Sequence, residues 1–275
     1  MTVRLSRITV FPVKSTSGQV LQEAVVEPLG LTHDRRWMVA KSDGECLTAR
    51  TNQNLLRISA TPTPHGLHLR AGSEQISVPT PTGPLTPVTV HGRALHGIPA
   101  EPEATEWVRG VIGRDDIRLV HLGRARPLNP AYSQPGDATG FADAYPVTLG
   151  SLASLRRLQD WVTEAALERG EEPAVIGIER FRPNLVIDGA DLEPFVEDSW
   201  RTVSIGEIEF DVAKLIDRCV LTTVHPDTRE RGPEPIRTLA RHRAWDGQTW
   251  FGLQLIPRSA GTLRVGDAVS AASST

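Results

Sequence analysis

This sequence predicts a strand-dominated α+β chain of two mainly β domains, and three observations carry that prediction. The first third breaks into short, often β-branched runs separated by Gly, Pro, Ser and Thr clusters. Pro62, Pro64, Pro79, Pro81, Pro84 and Pro87 fall between Leu56 and Gly92, a density that forbids helix and suits edge strands and turns. The second half returns to strand-like runs around one long amphipathic helix.

In order, strands are expected at Val3 to Val13, Gln19 to Val26, Arg36 to Ala40, Gly66 to Leu69, Gln75 to Val78 and Val88 to His91. That is the spacing of a barrel or sandwich. Glu103 to Ile112 reads as helix, with Trp107 and Val111 four apart, and Ile117 to Leu122 as strand. Gly123 to Asp143 is polar and rich in Gly, Pro and Asn, as in a functional loop or an inter-domain link. The domain change is therefore placed near residue 124, giving domains 1–124 and 125–275. Ser151 to Arg169 is a helix whose apolar face is Leu155, Leu158, Val162 and Ala165, with Gly170 as its stop. Strands follow at Asn184 to Ile187, Thr202 to Val212 and Cys219 to Val224, then a short helix at Pro235 to Arg243. Phe251 to Ile256 and Thr262 to Val269 complete the series as strands.

Composition excludes several classes of function. Lys and Arg total 30 against 33 Asp and Glu, a net charge of -3, so no basic field recruits nucleic acid. The apolar runs are strand-sized, and Met1 to Val13 lacks the basic and apolar regions of a secretory signal. Two cysteines make no disulfide framework, and residence in the cytoplasm, with no membrane partner, is the expectation. There is no Gly-rich phosphate loop, no His-Glu-x-x-His and no Cys-x-x-Cys, and the eight histidines are scattered.

Four places could carry chemistry. Cys219 follows Arg218 and begins an apolar run. A cysteine in such a run is most often a small buried hydrophobe. Against that, a neighbouring guanidinium favours thiolate, and a residue at the head of the run can face a strand mouth. Cys46 lacks such context and reads as structural. Arg182 and Asn184, two apart before a core strand, would share a face in an extended chain, placing a guanidinium beside an amide. Lys14 and Ser15 end the first strand and present an ammonium and a hydroxyl together, or are simply a strand-to-loop pair. Asp34 precedes Arg35 and stands where it can orient a neighbouring arginine.

Taken together and in order, these motifs are specific. They are Pro-Val-Lys-Ser at 12–15, Asp-Arg-Arg-Trp at 34–37, Phe-Arg-Pro-Asn at 181–184, Asp-Ser-Trp at 198–200, Arg-Cys-Val-Leu-Thr-Thr-Val at 218–224 and Gly-Thr-Leu-Arg-Val-Gly-Asp at 261–267. The pattern resembles the MOSC family over nearly the whole chain, in the branch that carries an N-terminal β-barrel domain. The resemblance implies a molybdenum cofactor, molybdopterin with its metal, bound between two mainly β-barrel domains. It gives Cys219 as protein ligand to molybdenum and catalytic residue. It also implies that Lys14, Ser15, Arg35, Arg182 and Asn184 hold the pterin and its phosphate. Ser151 matches a position near the cofactor, and Arg218 adjoins the ligand. The family's characteristic reaction is two-electron reduction of small N-oxygenated molecules such as amidoximes and hydroxylamines. Electrons would then come from a separate iron–sulfur, flavin or haem protein. Two further readings of Cys219 stay open: a sulfur-transfer or cofactor-maturation enzyme, and a non-catalytic cofactor carrier. Asp217, two residues before Cys219, departs from the cysteine or proline that relatives often place just ahead of this motif.

Overall fold

The computed structural model describes residues 3–273, so Met1, Thr2, Ser274 and Thr275 of the expected domains lie outside it. The chain forms two compact units that interleave in sequence. One comprises Met1–Thr9, Leu21–Gly30 and Pro146–Thr275, and the other Val10–Val20 and Leu31–Tyr145. This differs from a single change near residue 124. Strand partners far apart in sequence explain it: Arg4–Val10 pairs with Leu185–Asp188, and Glu23–Glu27 pairs with Gly261–Arg264.

The larger unit is built on one mixed sheet. From Arg4–Val10 and Leu185–Asp188 it continues through Val147–Ser151, Gln248–Pro257, Ile208–Asp217, Trp200–Ile205 and Val269–Ser273. Val147–Ser151 and Leu185–Asp188 are parallel, as the helix between them in sequence allows, and the other neighbours are antiparallel. Leu158 and Val162 of that helix, with Phe181, Val186, Leu239 and Phe251, form a core of buried apolar side chains.

The second unit holds a sheet in the order Trp37–Lys41, Ile117–Arg124, Arg93–Pro99, Thr86–Val90, and a smaller one of Ser59–Thr63, Gly66–Ala71 and Glu74–Pro79. Ser59–Thr63 and Arg93–Pro99 are strands that the proline-rich composition obscured. Pro62 is accommodated because Ser59–Thr63 is an edge strand, where a missing N–H costs no ladder bond.

Among the described residues there are three α-helices, α1 (Pro102–Ile112), α2 (Leu152–Glu168) and α3 (Ile236–His242). All lie within a residue or two of where the 3.6-residue periodicity puts them. None is long and apolar enough to cross a membrane. Four expected strands are different in the structure, the first being Gln19 to Val26, which is divided into Gln19–Leu21 and Glu23–Glu27 in different sheets. Thr202 to Val212 is a hairpin, split at Gly206 (φ 57°), and Thr262 to Val269 is broken by a turn at Gly266 (φ 100°). Both turns use the left-handed backbone that glycine adopts without steric cost. Cys219 to Val224 is not a strand but a 3₁₀ turn, Val220–Thr223, with Cys219 as its N-cap. The threonine hydroxyls explain it: Thr222 Oγ1 donates to the Cys219 carbonyl at 3.0 Å and Thr223 Oγ1 to that of Val220 at 2.7 Å. Such local bonds offer the backbone an alternative to a sheet ladder.

Candidate functional site

In the larger unit, Cys219 stands where the strand Ile208–Asp217 gives way to the 3₁₀ turn. Its backbone is extended (φ -99°, ψ 172°), its side chain half-buried and not disulfide-bonded. Arg218 turns the other way, into the sheet. Its Nε donates to the Phe251 carbonyl at 2.7 Å and its Nη1 to that of Phe181 at 3.0 Å, with the guanidinium carbon 5.2 Å from the Phe181 ring centre. These bonds tie the Cys219 turn to the Phe-Arg-Pro-Asn turn. Arg180 adds a second tie, Nη1 donating to the Thr223 carbonyl at 3.3 Å. Burial pulls the Arg218 guanidinium down to about 9, against the upward pull of Cys219 and Asp217.

Arg218 Nη2 is buried and has no hydrogen-bond partner among the described residues. A buried donor on a charged group that meets no acceptor is costly, about 1–3 kcal/mol or more. The space around it is also closely defined: a Cβ on Gly252 (φ 78°) would come 2.5 Å from the Leu149 carbonyl oxygen and 3.1 Å from Arg218 Nη2. Gly252 therefore serves both its left-handed backbone and a close approach. A buried cationic donor without an acceptor, one residue from a half-buried thiol, fits an anionic ligand whose metal takes sulfur. Among the described residues no three His, Cys, Asp or Glu side chains gather as metal ligands.

The neighbouring candidates divide. Arg182 caps the 3₁₀ turn Ile178–Phe181 in the left-handed conformation (φ 52°, ψ 45°). The extended chain that would put Arg182 and Asn184 on one face is therefore broken, and the strand begins only at Leu185. Asn184 is fully buried. Its Oδ1 accepts from Thr148 N at 3.1 Å and Thr148 Oγ1 at 3.0 Å, and its Nδ2 donates to the Thr9 carbonyl at 3.0 Å. It joins three strands. Ser151, also buried, caps α2 by accepting from Ser154 N at 3.4 Å, which places it at the positive end of a 17-residue helix.

In the second unit, Asp34 orients Arg35 as the sequence suggested. Its Oδ1 accepts from Phe11 N at 2.8 Å, its Oδ2 pairs with Arg35, and the guanidinium lies 4.9 Å from the Phe11 ring centre. Lys14 is buried and ion-paired with Asp143. Asp143 also receives Arg50 at 2.7 Å and His91 at 3.2 Å. Arg93 and Arg126 donate to its backbone carbonyl, each at 3.1 Å. Burial pushes the Asp143 carboxyl up, but Lys14, His91 and Arg50 outweigh it and hold it well below the usual carboxylate range. Burial and Arg93 bring Arg126 down to about 10. Lys14, Arg50 and His91 thus surround one carboxylate, and Arg93 and Arg126 hold the backbone carbonyl of the same residue. The sequence flagged the loop that supplies Asp143 and Arg126 but neither residue. Nothing local marks a carboxylate whose partners are some 50 to 130 positions away.

Eight non-glycine residues among those described have positive φ, and Ser15 (68°), Arg35 (49°) and Arg182 (52°) are three of them. Left-handed backbone at such residues costs energy and concentrates at functional sites.

The chain belongs to the MOSC family. The MOSC N-terminal beta barrel domain matches residues 2–115 and the MOSC domain residues 137–270, which is the expected strand-dominated pair of domains. Mitochondrial amidoxime-reducing component 1 of Mus musculus is 33% identical over 287 residues, covering 96% of this chain and 81% of its own. Its Homo sapiens counterpart is 31% identical, with 96% and 82% covered. Molybdenum cofactor sulfurase of Danio rerio is 30% identical over 93% of this chain but only 32% of its own length.

Proposed function

We infer that this protein is a molybdenum-cofactor oxidoreductase that reduces small N-oxygenated molecules with electrons from a separate iron–sulfur, flavin or haem protein. The observation that carries this reading is the half-buried Cys219 thiol at the head of its turn, following an arginine whose buried Nη2 has no hydrogen-bond partner among the described residues. The names of the amidoxime-reducing relatives support the substrate class. When bound, the molybdenum centre supplies the two-electron redox couple.

The chain's own residues do the rest. Cys219 gives the metal its protein sulfur. Arg218, one residue before Cys219, is locked in place by two carbonyls. Arg182 and the N-terminal end of α2 at Ser151 offer donors to the pterin and its phosphate, and Asn184 holds the strands that position them. Lys14, Ser15 and Arg35, in their own unit, are assigned to an anionic ligand. A guanidinium is the better grip where two oxygens are to be held at once, an ammonium where one point charge suffices.

The sulfurase relative motivates a second reading, in which Cys219 carries a persulfide in cofactor maturation. Elemental and pterin analysis of the purified protein separates the two. Stoichiometric molybdenum and pterin is the expected result. Cyanide-releasable sulfur on Cys219 without molybdenum would favour sulfur transfer, and reversible cofactor release without turnover would favour a carrier.

A further inference from the structure

The segment Gly123 to Asp143, polar and rich in Gly, Pro and Asn, folds into more than a loop. Arg126–Pro127 pairs antiparallel with Ala138–Thr139, and the register sets Arg126 opposite Thr139. Residues directly opposite on such a ladder send their side chains to the same face, with Cβ atoms about 4.5–5.5 Å apart. Both side chains are buried, Arg126 being 7% and Thr139 1% exposed.

A guanidinium at that depth is ordinarily paired with a carboxylate. Arg126 is not. Its described hydrogen bonds all leave from Nη2, to the carbonyls of Ala142 and Asp143 at 3.1 Å and of Ala144 at 3.3 Å. Arg126 Nε and Thr139 Oγ1 are both buried without a hydrogen-bond partner among the described residues. Arg93 Nη1 reaches the same Asp143 carbonyl at 3.1 Å, which brings a second guanidinium close to the first. Neither is hydrogen-bonded to a carboxylate, because that of Asp143 is turned to Lys14, Arg50 and His91. The buried phenol of Tyr145 lies near both cations. Burial and Tyr132 push it up, while Arg93 and Arg126 pull it down.

We propose that Arg126, Thr139, Arg93 and Tyr145 form a binding site for a small tetrahedral oxyanion, of the phosphate or sulfate kind. Arg126 Nε and the two hydroxyls supply donors from the buried side, and the exposed Arg93 supplies charge from the solvent side. Hydrogen bonds from charged donors to an oxyanion are the strong ones, and guanidinium is the group best shaped to make them. A water molecule would satisfy Nε and the threonine hydroxyl but would leave two neighbouring cations unbalanced. A bound oxyanion also braces the segment Ala142–Ala144 through Arg126, and with it the carboxylate that pairs with Lys14.

The test is titration calorimetry of the purified holoprotein with inorganic phosphate at constant ionic strength, with chloride as the control anion. One phosphate should bind per chain, and chloride at least about tenfold more weakly. Arg93→Gln and Thr139→Val should each weaken phosphate roughly tenfold, because each takes a charge or a donor from the anion. Thr139→Val adds a readout of its own. Without phosphate its thermal midpoint should equal or exceed the parent's, since an unsatisfied buried hydroxyl is gone. With phosphate the parent's midpoint should rise and the variant's stay nearly fixed. No phosphate binding, or parental affinity in Arg93→Gln or in Thr139→Val, overturns the site. Cys219 takes no part in it, so a protein without molybdenum leaves this proposal standing, and its failure leaves the functional reading intact.

Discussion

Cys46 and Cys219 are the same side chain in two kinds of place. Cys46 is buried in the second unit, its Sγ donating to the Leu47 carbonyl at 3.3 Å, among Met38, Val88, Val90 and Phe141. Burial pushes its thiol up to about 11, even with Lys14 pulling the other way. Cys219 is half-buried at the head of a turn, beside a guanidinium whose hydrogen bonds go to carbonyls rather than to a carboxylate. The difference teaches that surroundings, not residue type, decide whether a cysteine serves packing or chemistry. The described hydrogen bonds of Arg218 go to carbonyls, whereas Lys14 is paired with the Asp143 carboxylate.

The comparison breaks most plainly in activity. Cys219→Ser should abolish reduction of hydroxylamine-type substrates, by several orders of magnitude, while much of the pterin stays bound. Cys46→Ser should keep its activity per folded molecule and instead lose about 1–3 kcal/mol of stability through a poorly satisfied hydroxyl. Parental activity per molecule in Cys219→Ser would place both cysteines in the packing class.

A second contrast sets Arg182 against Asn184. Arg182→Ala should lower cofactor occupancy with little effect on folding, since each charge-assisted hydrogen bond contributes about 1.5–3 kcal/mol to binding. Asn184→Ala should destabilise the fold by about 2–3 kcal/mol, because buried Thr148 and Thr9 groups lose a partner. Pterin content and urea midpoints of the two variants check this. Full pterin in Arg182→Ala, or an unshifted midpoint in Asn184→Ala, would reverse the assignment.

Glu197 sharpens the Cys46 side. It is fully buried, accepts from Ser154 Oγ at 2.6 Å, and burial raises it to about 7. The folded chain then keeps a proton that the unfolded chain gives up near 4.5. Stability should therefore fall as pH rises from about 4.5 to 7, by at most on the order of 3 kcal/mol. Glu197→Gln should remove most of that slope, leaving the smaller part due to Asp198, which burial also raises. Thermal midpoints across that range, with the same slope in both proteins, would contradict it.

Much of this was legible in the sequence, for reasons that differ by residue. α2 and its Ser151 cap follow from spacing and one hydroxyl, and Cys219 stands out through its neighbours. The 3₁₀ turn after it was hidden because Val-Leu-Thr-Thr-Val reads as strand until the hydroxyls bond backward. The shared face of Arg182 and Asn184 failed at one left-handed residue, which residue type does not announce. Asp246-Gly247 is a hairpin signal that the alternation around Trp245 and Trp250 makes readable, yet it was missed. Interleaving of the two units and the cations around Asp143 depend on contacts across the chain, which no local pattern encodes.

The account stands on the Cys219 sulfur, and metal-edge X-ray absorption of the molybdenum-loaded protein tests it most directly. The sulfur count around molybdenum should fall by one in Cys219→Ser relative to the parent and remain unchanged in Cys46→Ser. An unchanged count in Cys219→Ser would contradict the assignment of Cys219 as the metal's protein ligand.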